Sequence, residues 1–363
     1  MRRRTNGIPA VLGIDIGGTK TAAALIPASA TGGEAEIHLP ARVPTPAEGG
    51  AAAVLAAALE LAEDRLTQAR AAGMDVIACG VGSAGTIDGN GVVTHATDAL
   101  PGWRGTDLAT AFTQRLGLPV TVLNDVHAWA LGEARHGAAR GSRLALVLTI
   151  GTGVGGALVR DGELLRGRNG MAGSLGHTLA VLPPDADADR PCPCGAPGHL
   201  EAYASGPAIL SAYHARGGTA PDLKSLSPAR HNTGSPDLGF LPPALHNTEP
   251  PALRHPAETP DPRNPLGATG HQAGPETADP LAREVIREAA VILGRSIASA
   301  AALLDPDVIV LGGGVTGLGE PLTVPLFETI RRYAPRALDS VPVRLSTLGA
   351  HGAVLGAASA AMP

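Results

Sequence analysis

Val11-Leu12-Gly13-Ile14-Asp15-Ile16-Gly17-Gly18-Thr19-Lys20, followed by Thr21 to Ile26, is the stretch on which the fold turns. Val11 to Ile16 is a short apolar run that reads as a strand, and Thr21 to Ile26 reads as a second. The small residues between them make a tight turn, so the pair is a β-hairpin. A carboxylate stands at the end of the first strand. Behind it come two glycines that let backbone N–H groups approach an anion, then a hydroxyl and an ammonium. That order suits Mg-phosphate binding. Taken alone, the same residues read almost as well as a hairpin with a surface lysine.

Two further glycine turns change the balance. Leu144 to Ile150, Gly151-Thr152-Gly153 and Gly155 to Val159 repeat the hairpin pattern, and Val308 to Leu311 runs into Gly312-Gly313-Gly314. Between the first two turns, the strand Val120 to Leu123 ends on Asn124-Asp125. Helical spacing marks Ala47 to Ala72, Thr106 to Leu116, Val126 to His136, Leu281 to Leu304 and Gly352 to Ala361, with a further strand at Asp75 to Val81. Strands alternating with helices predict an α/β fold with a mixed sheet. Three glycine turns with an Asn-Asp between them outline a nucleotide cleft between two similar halves.

The bulk properties agree. The chain has 363 residues, enough for two cores, with 44% hydrophobic and 17% charged residues. Aromatics make up only 2%, so the cores must be built from Ala, Val, Leu and Ile. A net charge of −5 gives no basic footprint for nucleic acid. No apolar run is long and unbroken enough for an export signal or a membrane span. Three cysteines do not make a disulfide framework, and a cytoplasmic enzyme is expected. The region 215–279 breaks the pattern. Thirteen of the 32 prolines fall between Pro221 and Pro280, and His-Asn-Thr occurs at both His231 and His246. Such a stretch cannot bury enough apolar surface to offset its ordering entropy, so an irregular surface insertion is expected.

The motifs as a set resemble those of the ROK group of sugar kinases and repressors, within the actin-like ATPase and ribonuclease H-like fold. They are Gly13 to Lys20, Leu123-Asn124-Asp125, Ile150 to Gly156, Gly176-His177 with Cys192-Pro193-Cys194-Gly195, Glu201 to Gly206, and Val310 to Val315. The resemblance implies two domains around a nucleotide–sugar cleft: 1–125, to which a helix at about 350–363 returns, and 126–349. It implies Asp125 as the general base that takes the proton of a hexose hydroxyl, glucose being the leading substrate. ATP and Mg²⁺ would be held by Asp15, Gly17, Gly18, Thr19, Lys20, Gly151, Thr152, Gly153, Gly313 and Gly314. The sugar would be met by Asn124, His177, Glu201, Ser174 and Gly85. A structural Zn²⁺ would sit on His177, Cys192, Cys194 and His199, and a homodimer is expected.

The departures from the group's pattern fall on substrate recognition. Ser174-Leu175-Gly176-His177 stands where the group reads Glu-x-Gly-His, and a neutral serine loses a charge-assisted contact. Ala99 precedes Leu100-Pro101-Gly102-Trp103 where the group often has Asn, with Asp98 beside it. His199 stands where the last zinc-binding cysteine is usual, and imidazole is an equally good ligand. Repressor members carry a DNA-binding domain ahead of the first glycine turn, and only twelve residues precede Gly13 here, so a kinase is expected. Kinases for mannose, fructose or an N-acetylhexosamine, polyphosphate as donor, and a silent sugar-binding protein are the alternatives.

Overall fold

The computed structural model describes residues 7–29, 36–96, 99–184, 186–226 and 279–362. The hairpin read from the sequence is present: β1 (Ile8–Ile16) pairs antiparallel with β2 (Lys20–Pro27). Strand β3 (His38–Pro44) extends it on one side. On the other, β4 (Met74–Ser83) and β7 (Val120–Asn124) run parallel to β1, giving the order β3-β2-β1-β4-β7. Alternation along β1 sorts its side chains. Leu12, Ile14 and Ile16 enter a core with Val54, Ala58 and Leu61 of α1 (Gly50–Ala71) and Phe112 of α2 (Leu108–Leu116). A two-stranded ribbon, β5 (Thr86–Ile87) with β6 (Val93–His95), follows β4.

The second half repeats the connectivity. Strands β8 (Leu144–Ile150), β9 (Val154–Arg160) and β10 (Glu163–Leu164) are antiparallel neighbours, and β11 (Val308–Gly312) and β12 (Val343–Leu345) add in parallel beyond β8. The order is β10-β9-β8-β11-β12. Its outer face is covered by α4 (Glu201–Ala204), α5 (Gly206–Ala215), α6 (Pro280–Leu304) and α7 (Glu320–Tyr333).

Two helices lie between the sheets, α3 (Asp125–His136) and α8 (Gly352–Ala360). They approach one another and the first sheet at backbone contact. A methyl group at Gly356 would stand 1.5 Å from the Ala128 carbonyl oxygen, and one at Gly132 would stand 2.3 Å from that of Gly352. Toward β1 and β4 the same test gives 2.2 Å from Gly13 to the Val354 oxygen and 1.8 Å from Gly80 to that of Ala357. The last helix therefore packs on the N-terminal sheet, and only hydrogen side chains permit it.

Several elements were not anticipated: β3, the β5–β6 ribbon, α4, α5, α7 and β12. Helix α7 carries Pro321 in its first turn and Pro325 inside, and an internal proline argues against a helix even where the apolar period is clear. Most of the expected insertion, including His231 and His246, lies outside the described residues. The part that is described, 215–226, holds the end of α5, a turn and a short 3₁₀ turn, Leu223–Leu226, that buries Leu226. Asp279 caps α6 and accepts a hydrogen bond from Tyr213. Among the described residues no helix is long and apolar enough to cross a membrane.

Gly356→Ala should destabilise the fold by about 1–3 kcal/mol, as overpacking does. Gly89→Ala, where a methyl group meets nothing within 4 Å, should leave it unchanged. Thermal unfolding of the two variants beside the parent checks this; equal melting temperatures would refute the close helix packing.

Candidate active site

The chemistry collects where the parallel strands of the first sheet end. In register, Asp15 of β1 lies beside Gly82 of β4, and Ser83 lies beside Asn124 at the end of β7. The crevice outside the carboxyl ends of such strands is the usual ligand position in open α/β sheets. Asn124 is the N-cap of α3. Its Oδ1 accepts from Val126 N at 2.9 Å and His127 N at 3.1 Å. Its Nδ2 donates to the Gly85 carbonyl at 2.8 Å and to Asp125 Oδ1 at 2.8 Å. Every polar position of Asn124 is thus in use, so its expected contact with a sugar requires one of these bonds to be exchanged.

Asp125, relieved of capping, has Oδ1 fixed by Asn124 and by Val126 N at 2.9 Å. Oδ2 is the oxygen left for a further proton. Burial pushes the Asp125 carboxyl up to about 6, although these two hydrogen bonds pull it down. Asp15 is pushed up to about 7, by burial first and by the Asp125 charge second, against the pull of Lys20 and Arg42. Both carboxylates are therefore under strain as anions, and a cation between them would relieve it.

The first glycine turn is tied down by a residue the sequence reading missed. Thr45 Oγ1 donates to the Gly17 carbonyl at 2.8 Å and lies 3.0 Å from Thr21 Oγ1, while Thr45 N donates to the Thr19 carbonyl at 3.1 Å. Pro44-Thr45-Pro46, a lone hydroxyl between prolines, was its only signal. Gly18 faces Ala99, whose carbonyl oxygen would lie 3.3 Å from a methyl group there. Asp98 lies outside the described residues. Thr19 and Lys20 are exposed at the rim.

The second and third turns meet at the end of the C-terminal sheet. Gly151 N donates to the Gly153 carbonyl and Gly206 N to the Gly151 carbonyl, both at 2.8 Å. Gly313 adopts φ +92° and would place a methyl group 2.4 Å from the Ile150 carbonyl, so glycine is required on both counts. Thr152, Gly313 and Gly314 are exposed. Gly155 packs on Val126, 2.6 Å from methyl position to side chain, which seats this hairpin beside the first turn of α3 and Asp125.

Glu201 joins two of the expected motifs. Its Oε2 accepts from Val154 N at 2.9 Å, and Gly153 leaves room for that oxygen only by lacking a side chain. Its Oε1 lies 3.8 Å from Cys192 Sγ. Ser174 opens the short turn Leu175–His177 and accepts from His177 N at 3.1 Å through its carbonyl. The four expected metal ligands do come together: the donor atoms of His177, Cys192, Cys194 and His199 all lie within 4.8 Å of one another. Cys192 Sγ is 3.8 Å from His177 Nδ1, and Cys194 Sγ is 3.1 Å from His199 Nδ1. Donors around a tetrahedral zinc at ordinary bond lengths stand roughly 3–4 Å apart, so the set fits that ion. Burial, with the thiol of Cys194 and the carboxylate of Glu201 nearby, pushes the Cys192 thiol up to about 12, a preference a bound cation would reverse.

Residues 11–237 and 263–362 match the sequence model of the ROK family. The chain belongs to that family. A glucokinase of Halalkalibacterium halodurans is 33% identical over 347 residues, 95% of this chain and 92% of that protein. An N-acetylmannosamine kinase of Salmonella typhi is 31% identical over 337 residues, 92% of this chain and 91% of its own length. The solved ROK glucokinase of Streptomyces griseus, in complex with glucose and AMPPNP, superposes with a TM-score of 0.67. It is 28% identical and covers 97% of this chain and 99% of its own. The architecture is the actin-like ATPase fold of ROK sugar kinases, with two α/β halves about a cleft.

The raised carboxyls make a stability prediction for this ROK protein. A carboxyl whose folded pKa lies above its unfolded value of 3.8 destabilises the folded state once ionised. That penalty is complete above about pH 7 for Asp15 and fades as pH falls toward 4. Without nucleotide or divalent cation, Asp15→Asn should therefore melt higher than the parent at pH 8 and by a much smaller margin at pH 4.5. A gain of the same size at both values would show that charge is not its cause.

Proposed function

We propose that this ROK protein is a sugar kinase that transfers the γ-phosphoryl group of Mg-ATP to a hexose hydroxyl, with Asp125 as the general base. The observation that carries the reading is the state of Asp125. One carboxyl oxygen is held by Asn124 and Val126 N, the other is available, and the pKa near 6 suits a base working near neutrality. The sugar hydroxyl attacks phosphorus, its proton passes to Oδ2 of Asp125, and ADP leaves with the electrons of the broken P–O bond. Mg²⁺ carried with the nucleotide would neutralise charge on the phosphates, with Asp15 facing it. The turns Gly17–Thr19, Gly151–Gly153 and Gly313–Gly314 would supply N–H groups to the phosphates and line the nucleoside side. Glu201, His177 and the Gly85 turn would meet the sugar.

Glucose leads as acceptor, supported by the glucokinase relatives. N-acetylmannosamine is the second candidate, because a kinase for that sugar is 31% identical over nearly the whole chain. Ser174 and Ala99 stand where the family's usual glutamate and asparagine would grip hydroxyls, so the choice rests on the rest of the pocket. The zinc would be structural, holding His177 and the start of α4 in fixed relation. Closure of residues 1–125 with the last helix against 126–349, a homodimer and a cytoplasmic location complete the reading.

ADP release from Mg-ATP should occur with one member of a panel of hexoses and N-acetylhexosamines. Asp125→Ala should keep nucleotide affinity and lose about 10²–10⁴-fold in kcat. Turnover near the parent's in that variant would remove Asp125 from its role. Elemental analysis should find about one zinc per chain. Cys192→Ser should release it and lower the melting temperature, and a metal-free parent of unchanged stability would speak against the zinc.

A further inference from the structure

The inner face of the N-terminal sheet carries two cations for which the sequence reading had one use between them. Along β1 the residues Val11, Gly13 and Asp15 share a face, and the first two pack against α8. Asp15 is the next position on that face, one step past the helix. The register carries it across the sheet: Asp15 pairs with Ala22 of β2, and Ala22 pairs with Arg42 of β3. Directly paired residues point to the same side, so Asp15, Ala22 and Arg42 form one row. Lys20, two residues before Ala22, stands on the same face and pairs with Pro44.

The middle of the row is an alanine. Two strand spacings separate the Asp15 and Arg42 backbones, roughly 10 Å, and an arginine side chain crosses most of that distance over a methyl group. A larger residue at 22 would wall it off. Arg42 is exposed and forms no hydrogen bond or ion pair among the described residues. Its charge nonetheless acts on Asp15, lowering the carboxyl alongside Lys20. Among the described residues, Arg42 thus has no hydrogen-bonding partner on the edge strand and shares its face with Asp15.

We propose that Arg42 is a binding residue for the donor's phosphates, which with Lys20 forms a two-cation clamp across Ala22 from Asp15. The ligand class is a magnesium-bound polyphosphate chain of the kind that ends ATP. A planar guanidinium can take two phosphate oxygens at once, whereas the lysine acts as a point charge. The two therefore have different tasks: Lys20 compensates charge near the glycine turn, and Arg42 fixes the direction of the phosphate chain. The assignment rests on the kinase reading for its context, since it names which residues grip the donor in that site.

Initial rates with Mg-ATP and sugar varied in turn test it on the parent, Arg42→Gln and Arg42→Lys. The glutamine variant should raise KM for Mg-ATP about tenfold, leave KM for the sugar within about twofold, and be rescued in part by lysine. Magnesium tripolyphosphate should compete with Mg-ATP about tenfold less well in Arg42→Gln, while adenosine, which has no phosphates, should inhibit both equally. An unchanged donor KM, or an equal loss against adenosine, overturns the assignment. Should the parent form no ADP with any sugar, the kinase reading fails by itself. Calorimetric titration of Mg-AMPPNP then decides Arg42: weaker binding in Arg42→Gln supports it, and equal binding overturns it.

Discussion

Backbone contact between helices α3 and α8, and between α8 and strands β1 and β4, fixes the geometry on which the site depends. Gly132, Gly352 and Gly356 on the helices and Gly13 and Gly80 on the strands allow it. Had these positions carried side chains, the two sheets would stand further apart and the glycine turns of the two halves would separate. Ala-rich composition is the same constraint at lower resolution: Ala128, Ala357 and Ala358 fill the seam that bulky residues could not enter. Trp129 is an aromatic residue at this seam, where it packs over Gly312 and Gly352.

From this placement comes the electrostatic character of the cleft. Burial holds both the Asp15 and the Asp125 carboxyl above their ordinary range, and the Asp125 charge adds to the rise at Asp15. The protein spends folding stability on a pair of carboxylates that a magnesium–phosphate ligand would stabilise. Strain of this kind at a strand end is typical of functional sites and has no value to a purely structural turn. Asn124 completes the arrangement by caging one oxygen of Asp125 while capping its helix, which couples the direction of the carboxyl to the start of α3.

The parts of this account that were legible in the sequence are those whose chemistry is local. Asp15 with its two glycines, Asn124-Asp125 at a strand end, and the Gly151 and Gly313 turns could each be read from adjacent residues. So could the gathering of His177, Cys192, Cys194 and His199, once the family spacing was recognised. What could not be read depends on register or on saturation. Thr45 reaches the first turn from just beyond β3, a strand that carries no strong period. Arg42 acquires meaning only when β3 is paired to β2 and β2 to β1. The four bonds of Asn124 are invisible until the Gly85 carbonyl is seen beside it. Helix α7 was hidden by its own prolines.

The central claim is that Asp125 receives the proton of a sugar hydroxyl in line with the donor's terminal phosphate. A crystal structure with glucose and Mg-AMPPNP tests it most directly. The account predicts one sugar hydroxyl within about 2.6–3.2 Å of Asp125 Oδ2 and in line with the γ-phosphorus, with Oδ1 still held by Asn124. A sugar seated with no hydroxyl facing Asp125, or with that carboxylate turned away from the phosphates, would contradict it.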